Sequence, residues 1–149
     1  MATTEEINKH QEDLIATMDA VTRRLYNNKK KGKKLFQKGL ETLNRKMKFV
    51  DFMKFDDAAI FFYKSMIYYK TCSQWSHAGH SLINCAEMHV KATLFSEAAA
   101  LYTEAAELLI KDDITEAIKT YKIAIQIYCD IGRFDIAGRL ERLVALKGF

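Results

Sequence analysis

The side chains able to do chemistry are few in this chain, and their spacing does not serve catalysis. His77 and His80 stand three apart and would share a helix face, as two metal ligands must. No third ligand follows at suitable spacing, because Cys85 falls off that face and His89 is further still. Cys72, Cys85 and Cys129 have no His/Asp partner that the sequence identifies, and Cys85 beside Ala86 reads as a reduced core thiol. Asp56-Asp57 and Asp112-Asp113 stand where helices begin, where carboxylates complement the helix dipole, so they need no acid–base role. Gly132, Gly138 and Gly148 are isolated, so no glycine-rich loop cradles a phosphate. The expectation is a non-enzyme with no metal and no cofactor.

What these residues sit on is a repeat. Five segments begin alike, at Phe55, Trp75, Phe95, Ile114 and Phe134. Each opens on a bulky apolar residue, and Ala follows three positions on (Ala58, Ala78, Ala98, Ala117, Ala137). The second position carries Asp, Ser or Thr, which reads as a helix N-cap. The small pairs in the first turn admit a neighbouring helix. Further on, apolar residues recur at helical spacing: Leu101, Tyr102, Ala105 and Leu108 in the third unit, Tyr121, Ala124, Ile125 and Tyr128 in the fourth. Short polar connectors force successive helices to run antiparallel, and stacked hairpins make an α-solenoid. The absence of proline from all 149 residues, with only 6 glycines, argues against a turn-rich β fold.

The stretches Glu97-Ala98 to Ala105 and Glu116-Ala117 to Ala124 look like second helices of tetratricopeptide hairpins, on a longer period. The expected fold is all-α: a right-handed α-solenoid of antiparallel, tetratricopeptide-like hairpins over residues 36–149. An N-terminal helix and basic linker, residues 1–35, precede it. Thr3 and Glu6 form a capping-box pattern that opens a helix from about residue 4 to 26. Residues 27–34, basic and containing Gly32, read as a loop or a frayed helix, and Gly39–Phe49 as a further helix.

The net charge of +4 is unevenly spread: residues 1–22 carry −4, residues 23–48 carry +10 and the remainder −2. Such a basic tract attracts anionic lipid, an acidic protein face or nucleic acid. Aromatic interleaving is sparse there, with only Tyr26 and Phe36, which argues against nucleic acid. Between the basic tract and the repeats lies an apolar connector, Phe49, Val50, Phe52, Met53 and Phe55, preceded by Lys46 and Lys48. Rings entering a bilayer interface while lysines meet anionic headgroups would use such a segment; so would a plug for the solenoid's open end, or a protein contact. The acidic, polar start, the three scattered cysteines and the lack of a long apolar run point to a cytoplasmic chain with free thiols, and a membrane contact through the connector would be a peripheral one.

The fragments Tyr69–Gly79, Ala86–His89 and Ala117–Ala137, with the run Ile127-Tyr128-Cys129-Asp130-Ile131-Gly132-Arg133-Phe134, resemble soluble NSF attachment proteins (SNAPs), in order and over about Gly39–Leu143. The resemblance is to the N-terminal half of that family. It implies an adaptor that coats the assembled SNARE four-helix bundle, touches the anionic membrane surface and recruits the ATPase NSF to pull the bundle apart. By motif position it implies SNARE-docking roles for Lys70, Lys111 and Arg133, and membrane contact for the Phe49–Phe55 connector. A chain ending after five repeat units would lack the half through which the family engages NSF. The alternatives are then a short SNAP that binds SNAREs without activating NSF, or a tetratricopeptide-type scaffold for another protein's peptide tail.

Overall fold

The computed structural model describes residues 2–44 and 54–148, and among these it contains seven α-helices and no strand. They are α1 (Thr4–Thr17), α2 (Ala20–Asn44), α3 (Lys54–Thr71), α4 (Trp75–Lys91), α5 (Phe95–Leu109), α6 (Ile114–Asp130) and α7 (Phe134–Gly148). From α2 onward each helix packs chiefly on the next in the chain. This nearest-neighbour stacking is the α-solenoid that the repeat implies.

The first core joins Phe62, Met66 and Tyr69 of α3 to Leu82, Cys85 and Met88 of α4, closed by Phe36 of α2 and Leu108 of α5. The second joins Tyr102 and Ala106 of α5 to Tyr121, Ala124 and Tyr128 of α6 and to Ala137 and Leu140 of α7. Ile83 and Leu101 pack against both. The repeat's alanines do what small residues should: Ala58, Ala78, Ala98 and Ala117 are fully buried, so the helices meet closely there. Gly79 shows how closely, for an added Cβ would lie 2.6 Å from Leu109 Cγ.

The connectors obey one rule at three of the four junctions after α3. Gln74, Leu94 and Arg133 donate their N–H to the carbonyls of Tyr69, His89 and Tyr128, five residues back, at 2.9, 2.9 and 2.8 Å. The residues just before them, Ser73, Thr93 and Gly132, take φ of 58°, 61° and 81°. This is the Schellman closure of a helix C-terminus. It sets where the next helix begins. The α4 and α5 N-caps are Gln74 and Leu94, neither with a side-chain cap bond, and the α6 N-cap is Asp113, whose carboxylate accepts from Glu116 N–H. The second-position Asp, Ser or Thr is therefore not the cap. Helices α4 to α7 each start on the bulky residue itself, which places the polar one inside the first turn.

Two further expectations are overturned at the N-terminus. Residues 27–34 are helical within α2, and residues 4–26 are not one helix. Gly32 is a contact, not a breaker: a Cβ there would meet the Tyr69 ring at 3.0 Å, and one on Gly39 would meet Phe62 at 2.6 Å. Two rings thus lie flat on two glycines along one helix face, and Ser65 Oγ donates to the Gly32 carbonyl at 2.6 Å. The break falls instead at Met18-Asp19. Met18 is extended (ψ 148°), Asp19 accepts from Thr22 N–H at 2.7 Å to cap α2, and Arg23 donates to the Ile15, Ala16 and Met18 carbonyls that end α1. The division drawn at residue 35 falls inside α2. α1 keeps its capping box, Thr3 with Glu6, yet buries no residue.

Candidate interaction surface

Alternating helix directions sort the solenoid's connectors into two ends. One end carries the α3–α4 and α5–α6 connectors, the other the α4–α5 and α6–α7 connectors. At the first end Asp112 Oδ2 accepts from Ser76 N–H at 2.9 Å and from Ser76 Oγ at 3.0 Å. Beside this tie the Lys111 ammonium sits 3.6 Å from the centroid of the Trp75 ring, a cation–π contact. Lys70 lies exposed in the last turn of α3 at the same end. Arg133 lies at the other end, a helix length of about 25 Å away, with Nε 3.6 Å from Asp135 Oδ1. The Asp135 carboxyl is held below its ordinary value, first by the Ile136 N–H and also by Arg133. So Lys70 and Lys111 share an end, and Arg133 stands apart from both.

The structure supplies a surface that the sequence reasoning passed over. A groove of about 410 Å³ runs between α3 and α5, lined by Ala59, Ile60, Tyr63, Lys64, Cys85, His89 and Leu101, with Asp56 at its edge. Its apolar wall is the outer side of α3, where Ile60, Tyr63 and Ile67 are all more than 40% exposed although the opposite side of the same helix is core. A helix apolar on both sides was the available signal: Ile60, Tyr63 and Ile67 follow helical spacing out of phase with Phe62, Met66 and Tyr69. At the base of the groove His89 Nδ1 lies 2.9 Å from the Cys85 carbonyl, which fixes the ring. Burial, with Glu104 adding to it, pushes the Cys85 thiol up to about 12, so it stays protonated and is no nucleophile at neutral pH. The groove offers apolar contact flanked by Lys64 and Asp56, a surface for a side chain or helix of a partner rather than for a reaction.

Of the expected membrane residues, Lys46, Lys48, Phe49, Val50, Phe52 and Met53 lie outside the described residues. Phe55 lies in the first turn of α3, at the head of the first repeat unit: it is half-buried against the first core, with the Lys91 ammonium 5.3 Å from its ring centroid. His77 stacks on Tyr69 at 5.0 Å between ring centroids, which gives it a packing role. No group of three metal-ligating side chains occurs among the described residues, and none of their helices is long and apolar enough to cross a membrane.

Comparison with known proteins places this architecture. The family model "Soluble NSF attachment protein, SNAP" matches residues 30–146, from the middle of α2 to the last turns of α7. The human alpha-soluble NSF attachment protein is 31% identical over 86 residues, which is 58% of this chain and 29% of the human protein. The bovine beta-soluble NSF attachment protein and the grapevine alpha form are each 29% identical over 92 residues, 62% of this chain and 31% and 32% of theirs. The matched stretch thus spans about a third of the curated relatives. A match that runs through six consecutive helices, in order, carries the assignment: the chain belongs to the soluble NSF attachment protein family.

Proposed function

We propose that the chain is a non-enzymatic SNAP-like adaptor that binds the assembled SNARE four-helix bundle in support of NSF-driven disassembly during vesicle fusion. The observation that carries this reading is the family match over residues 30–146, which takes in nearly the whole array. Lys70, Lys111 and Arg133 are the proposed docking cations for SNARE carboxylates. All three are exposed, and each already has a role that a bound carboxylate would modify or share: Lys111 over Trp75, Arg133 beside Asp135, and Lys70 at the negative end of α3. The connector residues Lys46, Lys48, Phe49, Val50, Phe52, Met53 and Phe55 are the proposed contact with an anionic membrane surface, at which the chain works from the cytoplasm. NSF is the proposed downstream partner.

The deciding experiment is capture of a purified, assembled SNARE bundle by the chain, compared with the separate SNARE chains across a salt series. Selective capture of the bundle, weakening with salt and with Arg133→Glu, supports the adaptor. No capture at low salt removes it. The α3–α5 groove favours a second reading, a scaffold that holds a helix or peptide of another partner through Ile60 and Tyr63. Under that reading Tyr63→Asp abolishes binding, and Arg133→Glu leaves it intact.

A further inference from the structure

The +10 tract of residues 23–48 looks, in the sequence, like the companion of the apolar connector that follows it. α2 is one helix of 25 residues, about 37 Å long, and eight of the tract's eleven bases are spread along it. Lys31 lies over the Tyr68 ring of α3 and Arg23 bonds the end of α1, but a set of the others falls on one side. Gly32 and Gly39 fix the face that α2 turns toward Tyr69 and Phe62 of α3. Opposite that face, at helical spacing, Lys30, Lys34 and Lys38 form a ladder with Lys33 beside it, all exposed. No Asp or Glu interrupts the sequence between Asp19 and Glu41, and the outward positions Asn27 and Gln37 on the same side are polar. α2 is also the first helix of the stack and packs chiefly on α3, so among the described residues this side faces away from the helix it packs on.

We infer that the outer ridge of α2, centred on Lys30, Lys34 and Lys38, is a docking surface for an anionic bilayer, distinct from the apolar connector. The chemistry separates a lipid surface from a protein partner. Protein interfaces concentrate their energy in a few buried aromatic or arginine anchors, whereas this ridge offers only exposed lysines and polar side chains. A bilayer bearing phosphatidylserine demands only charge in a line or plane, and each Lys near it adds attraction that salt screens. The inference rests on the reading that the chain meets a membrane. It adds where the headgroups bind and in what orientation: α2 lies along the bilayer, and the rest of the stack stands away from it.

The test is co-sedimentation of the full chain with phosphatidylcholine vesicles containing about 30% phosphatidylserine, against pure phosphatidylcholine, at low and high salt. Wild type is expected on the anionic vesicles only, and less at high salt. The triple substitution Lys30→Gln, Lys34→Gln, Lys38→Gln should weaken binding on the order of a hundredfold. A charge-matched triple at Lys119, Lys122 and Lys147 should leave it unchanged. All six positions are exposed, and an unchanged thermal melt verifies the fold. Equal losses from both triples overturn the ridge in favour of net charge alone. Retained vesicle binding with lost binding to polyglutamate overturns the lipid in favour of an acidic protein. Phe52→Ser separates this proposal from the connector: if it abolishes binding that the ridge triple leaves intact, the connector alone is the membrane contact and the ridge falls.

Discussion

Ser73 and Thr93 hold left-handed backbone angles that cost a side chain about 1 kcal/mol, and more when it is β-branched. Gly132 holds the same position at the α6–α7 junction without that cost. Thr93→Gly should therefore raise the unfolding free energy by about 0.5–1 kcal/mol, and Gly132→Val should lower it by at least as much, both read from urea melts. Burial sets a second residue-scale outcome. The Cys85 thiol is raised from 9.0 to about 12 in the folded chain, so the native state holds that proton more tightly than the unfolded one. Its contribution to stability is complete below about pH 9 and is lost as the pH climbs toward 12. Burial raises Tyr69, Tyr102 and Tyr121 as well, and these act in the same direction. A pH series of melts should fall above pH 9, and Cys85→Ala should flatten the first part of that fall. At this scale the sequence is a partial guide. Cys85 in the core is legible from its neighbours, whereas the cap positions are misplaced because a Schellman turn, which has no side-chain signature at Ser73 or Thr93, decides where the next helix begins.

At the scale of elements, the glycines show why helix identity is easier to read than helix limits. Gly32 in a run of lysines suggests a loop, and only the Tyr69 ring lying against it reveals a close helix crossing. The repeat itself is legible because burial of Ala58, Ala78, Ala98 and Ala117 imposes its period on the sequence. The break at Met18-Asp19 is not, because the apolar stripe Ile7, Leu14, Val21 keeps its register across it. Two outcomes belong here. Gly79→Val forces a branched side chain into Leu109 and should destabilise by about 2 kcal/mol, with the helix content of the folded state unchanged by circular dichroism. Asp112→Ala unties the first turn of α4 from the α5–α6 connector by removing the acceptor of both Ser76 bonds; it should cost about 1–2 kcal/mol. Hydrogen exchange should then quicken at Ser76 N–H before it does in α3.

For the whole molecule, the array and not the N-terminal helix holds the stability. α1 buries nothing, so deletion of residues 1–18 should leave the melting temperature within about 2 °C of the intact chain. Phe62→Ala, in the centre of the first core and against Gly39, should cost about 3–5 kcal/mol. The distribution of charge is likewise a property of the whole. Lys70, Lys111 and Arg133 are each visible in the sequence, but their separation onto opposite ends follows only from the alternation of helix direction. The α3–α5 groove lay hidden for a related reason: it is made by helices two apart in the chain, and pattern-reading along one helix does not see a wall shared by two.

Stacking of each helix on its successor also governs how the chain comes to exist. Nearly every partnership joins segments within about forty residues of each other, so little loop entropy is spent before packing begins. A chain emerging from the ribosome can close the α2–α3 pair, then add α4 to it, without waiting for its C-terminus. Synthesis order and packing order coincide.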